Sequence, residues 1–126
     1  MERIKVTEAD VKRALVEAVT AKGYDYVYDN GDPLSEVCWY VHQDVNGNDV
    51  PGCLVGDALH RLGVPLGEIK KHEERGAYGV AGSLIDVAEN RGRVLSMLSQ
   101  AQDHQDTGGT WGGALAHCGA VSLIEA

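Results

Sequence analysis

The segment from Pro51 to Gly63 constrains the fold of this chain more than any other: Pro-Gly-Cys-Leu-Val-Gly-Asp-Ala-Leu-His-Arg-Leu-Gly. A breaker pair stands in front of it and a glycine behind it. Between them, Leu54, Val55, Ala58, Leu59 and Leu62 recur at the spacing of a buried helix face. Pro51 and Gly52 set the predicted start, and Gly63 can take the left-handed conformation that ends a helix. The segment therefore predicts a central core helix.

The chain has 126 residues, which predicts a single globular domain over 1–126 with a core that needs no metal or disulfide. Residues 1–6 read as an extended or disordered lead-in. The formal charge of −8 argues against a nucleic-acid partner, since phosphate backbones call for clustered Lys and Arg. No apolar run is long enough to cross a membrane, and the first residues lack a secretory apolar core. The three cysteines are an odd number without a CxxC pair, which fits a reducing cytoplasm.

Thr7-Glu8-Ala9-Asp10 predicts an N-cap, and Val6 with Val11 a hydrophobic staple. A first helix follows over 8–22, stopped by Gly23. Tyr24 to Tyr28 and Val37 to Val41 are two aromatic, β-like runs around a dense turn signal, predicting a minor hairpin within 24–41. Asp44 to Asp49 is a polar turn. Its opening mimics a calcium loop, but Asp49 stands at the sixth position and Val55 at the twelfth, so it reads as a turn. Beyond Gly63, the pattern predicts a short exposed helix over 66–75, a small-residue bend over 76–82 and a short helix over 83–90. A long helix over 93–106 and a final helix capped by Thr110 complete the chain, before an apolar tail at 121–124. The class is mostly α, with α+β as the alternative: a compact helical bundle with a minor two-stranded hairpin.

Four constellations could carry chemistry. Cys53 opens the central helix, where backbone N–H groups lower a thiol's pKa, and His42, His60 or His117 could serve as its base. Its bland reading is a small buried hydrophobe. Cys38, Cys53, His117 and Cys118 could supply four zinc ligands, although their spacing matches no ribbon or finger. Gly108, Gly109, Thr110 and Trp111 could hold an anion on free N–H groups and stack a base, against the alternative of a helix–helix turn with a core tryptophan. Tyr24, Tyr26, Tyr28, Trp39 and Tyr40 crowd one stretch, as an interface or as the lid of the core. No cofactor is called for.

Pro51 to Gly56 running into Ala58 to Val64, with Cys38-Trp39-Tyr40-Val41-His42 before it, resembles a segment of small accessory proteins of actinobacterial phages. Ala101-Gln102, Gln105-Asp106, Thr110-Trp111-Gly112 and Ala114-Leu115 are similar to their C-terminal region. The resemblance spans most of 24–116 and implies context alone, in the cytoplasm of an infected bacterium; it carries no catalytic residue. The expected function is a non-enzymatic binding protein for a host or phage protein, with a homodimer as a base-rate expectation. The alternatives are sequestration of a nucleotide-type small molecule and a small cysteine-dependent hydrolase.

Overall fold

The computed structural model describes residues 1–29, 39–73 and 75–120. Ile4–Val6 form strand β1, so the lead-in is extended and paired rather than loose. Helix α1 then covers Glu8–Lys22, the predicted range. The Thr7 hydroxyl accepts from the Asp10 amide at 3.1 Å and the Asp10 carboxylate accepts from the Thr7 amide at 2.9 Å, a reciprocal capping box. Val6 and Val11 are both buried, as the staple requires. Gly23 ends the helix at φ 102°, a value that would strain any residue with a β-carbon.

Among the described residues the antiparallel pair lies over 41–51, sharing only Val41 with the expected 24–41. Val41–Gln43 form β2 and Asp49–Pro51 form β3, in the register Val41↔Pro51 and His42↔Val50. Asp44 Oδ1 closes the connection by accepting from the Asn46 and Asn48 amides at 2.9 and 3.0 Å. The polar segment read as a turn is thus a hairpin loop, and Pro51 ends a strand before the helix begins. Of the expected first strand, Val27 makes an isolated bridge to Thr110. Of the expected second strand, Val37 and Cys38 lie outside the described residues, Trp39 and Tyr40 are not in a strand, and Val41 opens β2.

Helix α2 covers Leu54–Arg61, with Cys53 as N-cap residue. Leu54, Val55, Ala58 and Leu59 are completely buried, so the segment forms a core helix. A β-carbon on Gly56 would overlap the Tyr40 carbonyl, so the glycine lets the helix lie against the strand entry. Helix α3 is confined to Leu66–Lys70 and buries Ile69.

Residues 76–90 differ from expectation. Helix α4 covers Ala77–Leu84 and strand β4 covers Ile85–Val87, where a bend and then a helix were predicted. Ala77, Val80, Ala81 and Leu84 are a small-residue helical stripe, all buried, which the glycines between them disguised. The following apolar–polar–apolar triplet is a strand that pairs in parallel with β1. Arg91 stabilises the junction by donating to the carbonyls of Gly82 at 2.8 Å and Ile85 at 3.1 Å. Helix α5 runs over Arg91–Asp106, begun by a left-handed Asn90, and α6 over Trp111–His117. Helix α2 contacts α1 and α5, while α5 packs on α4 and α6. The described chain is mostly α with a minor β part.

Candidate functional site

The first turn of α2 has donors to satisfy and no side chain of its own to do it. Two buried glutamines from α5 supply the acceptors. Gln105 Oε1 accepts from the Leu54 amide at 2.8 Å and from the Trp111 indole N–H at 3.1 Å. Gln102 Oε1 accepts from the Val55 amide at 3.3 Å. Both carboxamides donate to Asp106 Oδ1, at 3.2 and 3.1 Å, which fixes their orientation. The Gln-Gln-Asp cluster therefore locks α5, α6 and the start of α2 together. Cys53, at that start, is completely buried.

The turn after α5 is committed in the same way. The Gly108 and Gly109 amides donate to the carbonyls of Gln105 and His104. Those of Trp111 and Gly112 donate to Tyr26 and Tyr24, and that of Gly113 to Thr110 Oγ1. Trp111 is completely buried, its ring meeting Tyr26 edge-on at 4.7 Å. Gly108, Gly109, Thr110 and Trp111 thus form a helix–helix turn with a core tryptophan, in which the Gly108, Gly109 and Trp111 amides and the indole ring are used within the fold. The glycines admit neighbours: β-carbons on Gly109 and Gly113 would collide with His104, and one on Gly112 with Tyr24.

Of the histidines proposed as bases, His42 stands beside Gly52, the residue before Cys53: a β-carbon on that glycine would meet its Cδ2 at 2.5 Å. His42 Nε2 lies 2.5 Å from the Tyr28 hydroxyl, which accepts from the Trp39 amide at 3.0 Å. Burial, and after it the charge of Lys22, lowers the His42 pKa below the usual imidazole value. His60 Nδ1 lies 3.3 Å from the Val64 carbonyl. His117 lies beside His104, ring centres 5.2 Å apart. Of the zinc candidates, Cys38 lies outside the described residues, and Cys118 is buried, which raises its thiol pKa. Among the described residues no three metal-binding side chains gather.

The aromatic cluster divides by role. Tyr40 belongs to the core, its hydroxyl donating to the Arg75 carbonyl at 2.5 Å. Tyr26 and Tyr28 are half-buried, pinned by Trp111 and His42 respectively. Tyr24, Val27 and Trp39 remain 55%, 48% and 36% exposed. Their backbone is fixed all the same. Tyr24 and Tyr26 carbonyls accept from α6 amides, and the Trp39 carbonyl accepts from the Cys53 amide at 2.9 Å. These exposed apolar side chains therefore stand on an anchored backbone.

Comparison with other proteins adds no assignment. The chain matches no protein family, no curated protein and no solved structure.

Two arrangements were not foreseen from sequence. Glu73 accepts from the Tyr40 and Val41 amides at 2.7 and 3.1 Å, tying the segment after α3 to the hairpin. A cleft of about 500 Å³ lies between the end of α1, β3 and α2, lined by Lys22, Val50, Pro51, Asp57, His60 and Arg61. Only the Asp57–Arg61 pair, one helical turn apart, left a readable signal.

Proposed function

We propose that this chain is a non-enzymatic, phage-encoded accessory protein that binds a host or phage protein in the bacterial cytoplasm. The observation that carries this reading is the exposure of Tyr24, Val27 and Trp39 on a backbone anchored to α6 and to the start of α2. Large apolar side chains presented rigidly lose little conformational freedom on binding, and aromatic anchors dominate interface energetics. The resemblance of the Pro51 to Val64 and Ala101 to Leu115 segments to actinobacterial phage proteins supports the setting. The acidity of the chain favours a partner with a basic rim.

The test is a Tyr24→Ser, Trp39→Ser double variant. Wild-type protein immobilised in a lysate of the infected host is expected to retain a discrete protein, which is then purified and titrated against both forms. The double variant should keep the wild-type unfolding midpoint and bind at least about thirtyfold more weakly, the effect of losing a single hot spot of about 2 kcal/mol. Equal affinity of the two forms for the purified partner would refute the reading.

A further inference from the structure

A chain with net charge −8 can still hold an anion where its basic groups converge. Most of them do not converge. Lys12 and Arg93 meet Glu8, Arg13 meets Asp10, Lys70 meets Asp49, and Lys71 meets Glu68. Arg91 is used on backbone carbonyls. The cleft between α1 and α2 is different. Lys22, from the last turn of α1, lines it and has no carboxylate partner among the described residues. Its ammonium instead sits 5.2 Å from the Tyr26 ring centre.

Arg61 lines the same cleft from the last turn of α2. A cation there suits the carbonyl end of a helix and alone would mean little. Asp57 is the informative residue. Its side chain is only 7% exposed, yet it carries a carboxylate, and that carboxylate takes the Arg61 Nε edge at 2.6 Å. A buried acid is tolerated when paired, and pairing here fixes the plane of a guanidinium that is itself partly exposed. The Nη groups, which form bidentate contacts with carboxylate or phosphate, have no acceptor among the described residues. His60 adds a third group. A carbonyl can only accept, so the Val64 carbonyl takes the Nδ1 proton and the tautomer is set. Nε2 is then left to accept from a protonated ligand oxygen or, when charged, to donate to an ionised one. Val50 and Pro51 form an apolar wall beside these polar groups.

We propose that this cleft binds a small molecule bearing a carboxylate or phosphate. Its acidic group is held by Lys22 Nζ and the Arg61 Nη groups, and its apolar part lies on Val50 and Pro51. Lys22 and Arg61 are the contacting residues, and Asp57 positions Arg61. The cleft lining shares no residue with the exposed Tyr24, Val27 and Trp39, and the proposal does not depend on the protein-binding reading.

The experiment titrates ¹⁵N-labelled protein with inorganic phosphate and, in a second series, with succinate, each against chloride at equal ionic strength. Saturable amide shifts around Lys22, Val50 and Arg61 are expected with one of the two anions, which identifies the acidic group. Arg61→Gln and Lys22→Gln should each raise the dissociation constant about tenfold or more, as expected for losing a charged hydrogen bond. Asp57→Asn, checked for an unchanged fold by its amide spectrum, should weaken binding while Arg61 remains. If Asp57→Asn unfolds the chain, the two Gln variants still decide the matter. Shifts that grow linearly and match those of chloride in both series would overturn the proposal. So would saturation that both Gln variants leave unchanged.

Discussion

Replacing Gln105 with leucine tests whether α5 truly caps α2. The side chain is buried, and its Oε1 serves two donors at once, the Leu54 amide and the Trp111 indole. Leucine is close in volume, so little of the effect should come from a cavity. What remains is two buried donors without an acceptor, each costing about 1–3 kcal/mol. Some of this is offset by the apolar gain of leucine, leaving an expected loss of about 2–4 kcal/mol. The assay is urea denaturation followed by far-UV circular dichroism, with an unchanged slope and a lowered midpoint. Hydrogen exchange at the Leu54 amide should accelerate beyond what the global change accounts for. Gln105→Glu separates acceptor from donor. It keeps the oxygens that the two N–H groups need, but sets a carboxylate beside Asp106 Oδ1, which now takes a bond at 3.1 Å from the Gln105 amide group. Two such carboxylates favour sharing one proton. The Glu variant should therefore be weakest near neutral pH and recover towards wild type as pH falls towards about 5. A Leu variant within about 0.5 kcal/mol of wild type, the range of an inert surface change, would refute the capping role.

Three further outcomes follow from the same packing. Gly56→Ala should destabilise by about 1–3 kcal/mol, because the new β-carbon would overlap the Tyr40 carbonyl, whereas Gly79→Ala, in open space on α4, should stabilise by about 0.5–1 kcal/mol; thermal melts of the pair read the opposite signs. His42 is held below the ordinary imidazole pKa by burial first and Lys22 second, so the unfolded chain binds more protons below about pH 6.5. The stability it contributes is present above that value and lost as pH falls through the lower folded value, and His42→Gln should flatten the slope in that window. Cys53, completely buried, should alkylate on the order of a thousandfold more slowly in the native protein than in urea. Rapid labelling of Cys53 at neutral pH would return the hydrolase reading to the front.

The parts of the fold that were legible are those whose signals are local. Thr7, Asp10, Val6 and Val11 announce α1 within one turn of sequence, and α1 begins and ends where they and Gly23 put it. Residues 76–90 are not legible in the same way, because glycine lowers helix propensity wherever it stands, while the compensation is tertiary. Gly82 sits where a β-carbon would come within 3.3 Å of Arg91 Nη2, and β4 exists because β1 waits beside it. The hairpin was displaced for a similar reason. Asp49–Pro51 has no alternation long enough to read, and its register comes from β2 and from Asp44 closing the loop. At the candidate site, Gln105 and Trp111 could be flagged by their helix face and turn, but not joined. Their shared role depends on α2 arriving from some fifty positions earlier, a separation of 51 residues between Gln105 and Leu54.

Lys22 is where the two proposed surfaces can be told apart. The residue lines the cleft, its ammonium sits 5.2 Å from the Tyr26 ring centre, and its charge helps to hold down the pKa of His42. Lys22→Met keeps an unbranched aliphatic side chain at this position and removes the charge that sits over Tyr26. Three separate readouts are then expected. The His42 midpoint, followed by its ring proton shifts, should rise, because a like charge that disfavoured the imidazolium is gone. Phosphate or succinate should bind more weakly in the cleft. Affinity for a protein captured through Tyr24 and Trp39 should not change, since neither side chain depends on that ammonium. A His42 midpoint that stays fixed would mean that burial alone sets it, and the Coulombic link between the end of α1 and β2 would be discarded. A loss of partner affinity with the anion site intact would move Lys22 out of the cleft and into the docking surface.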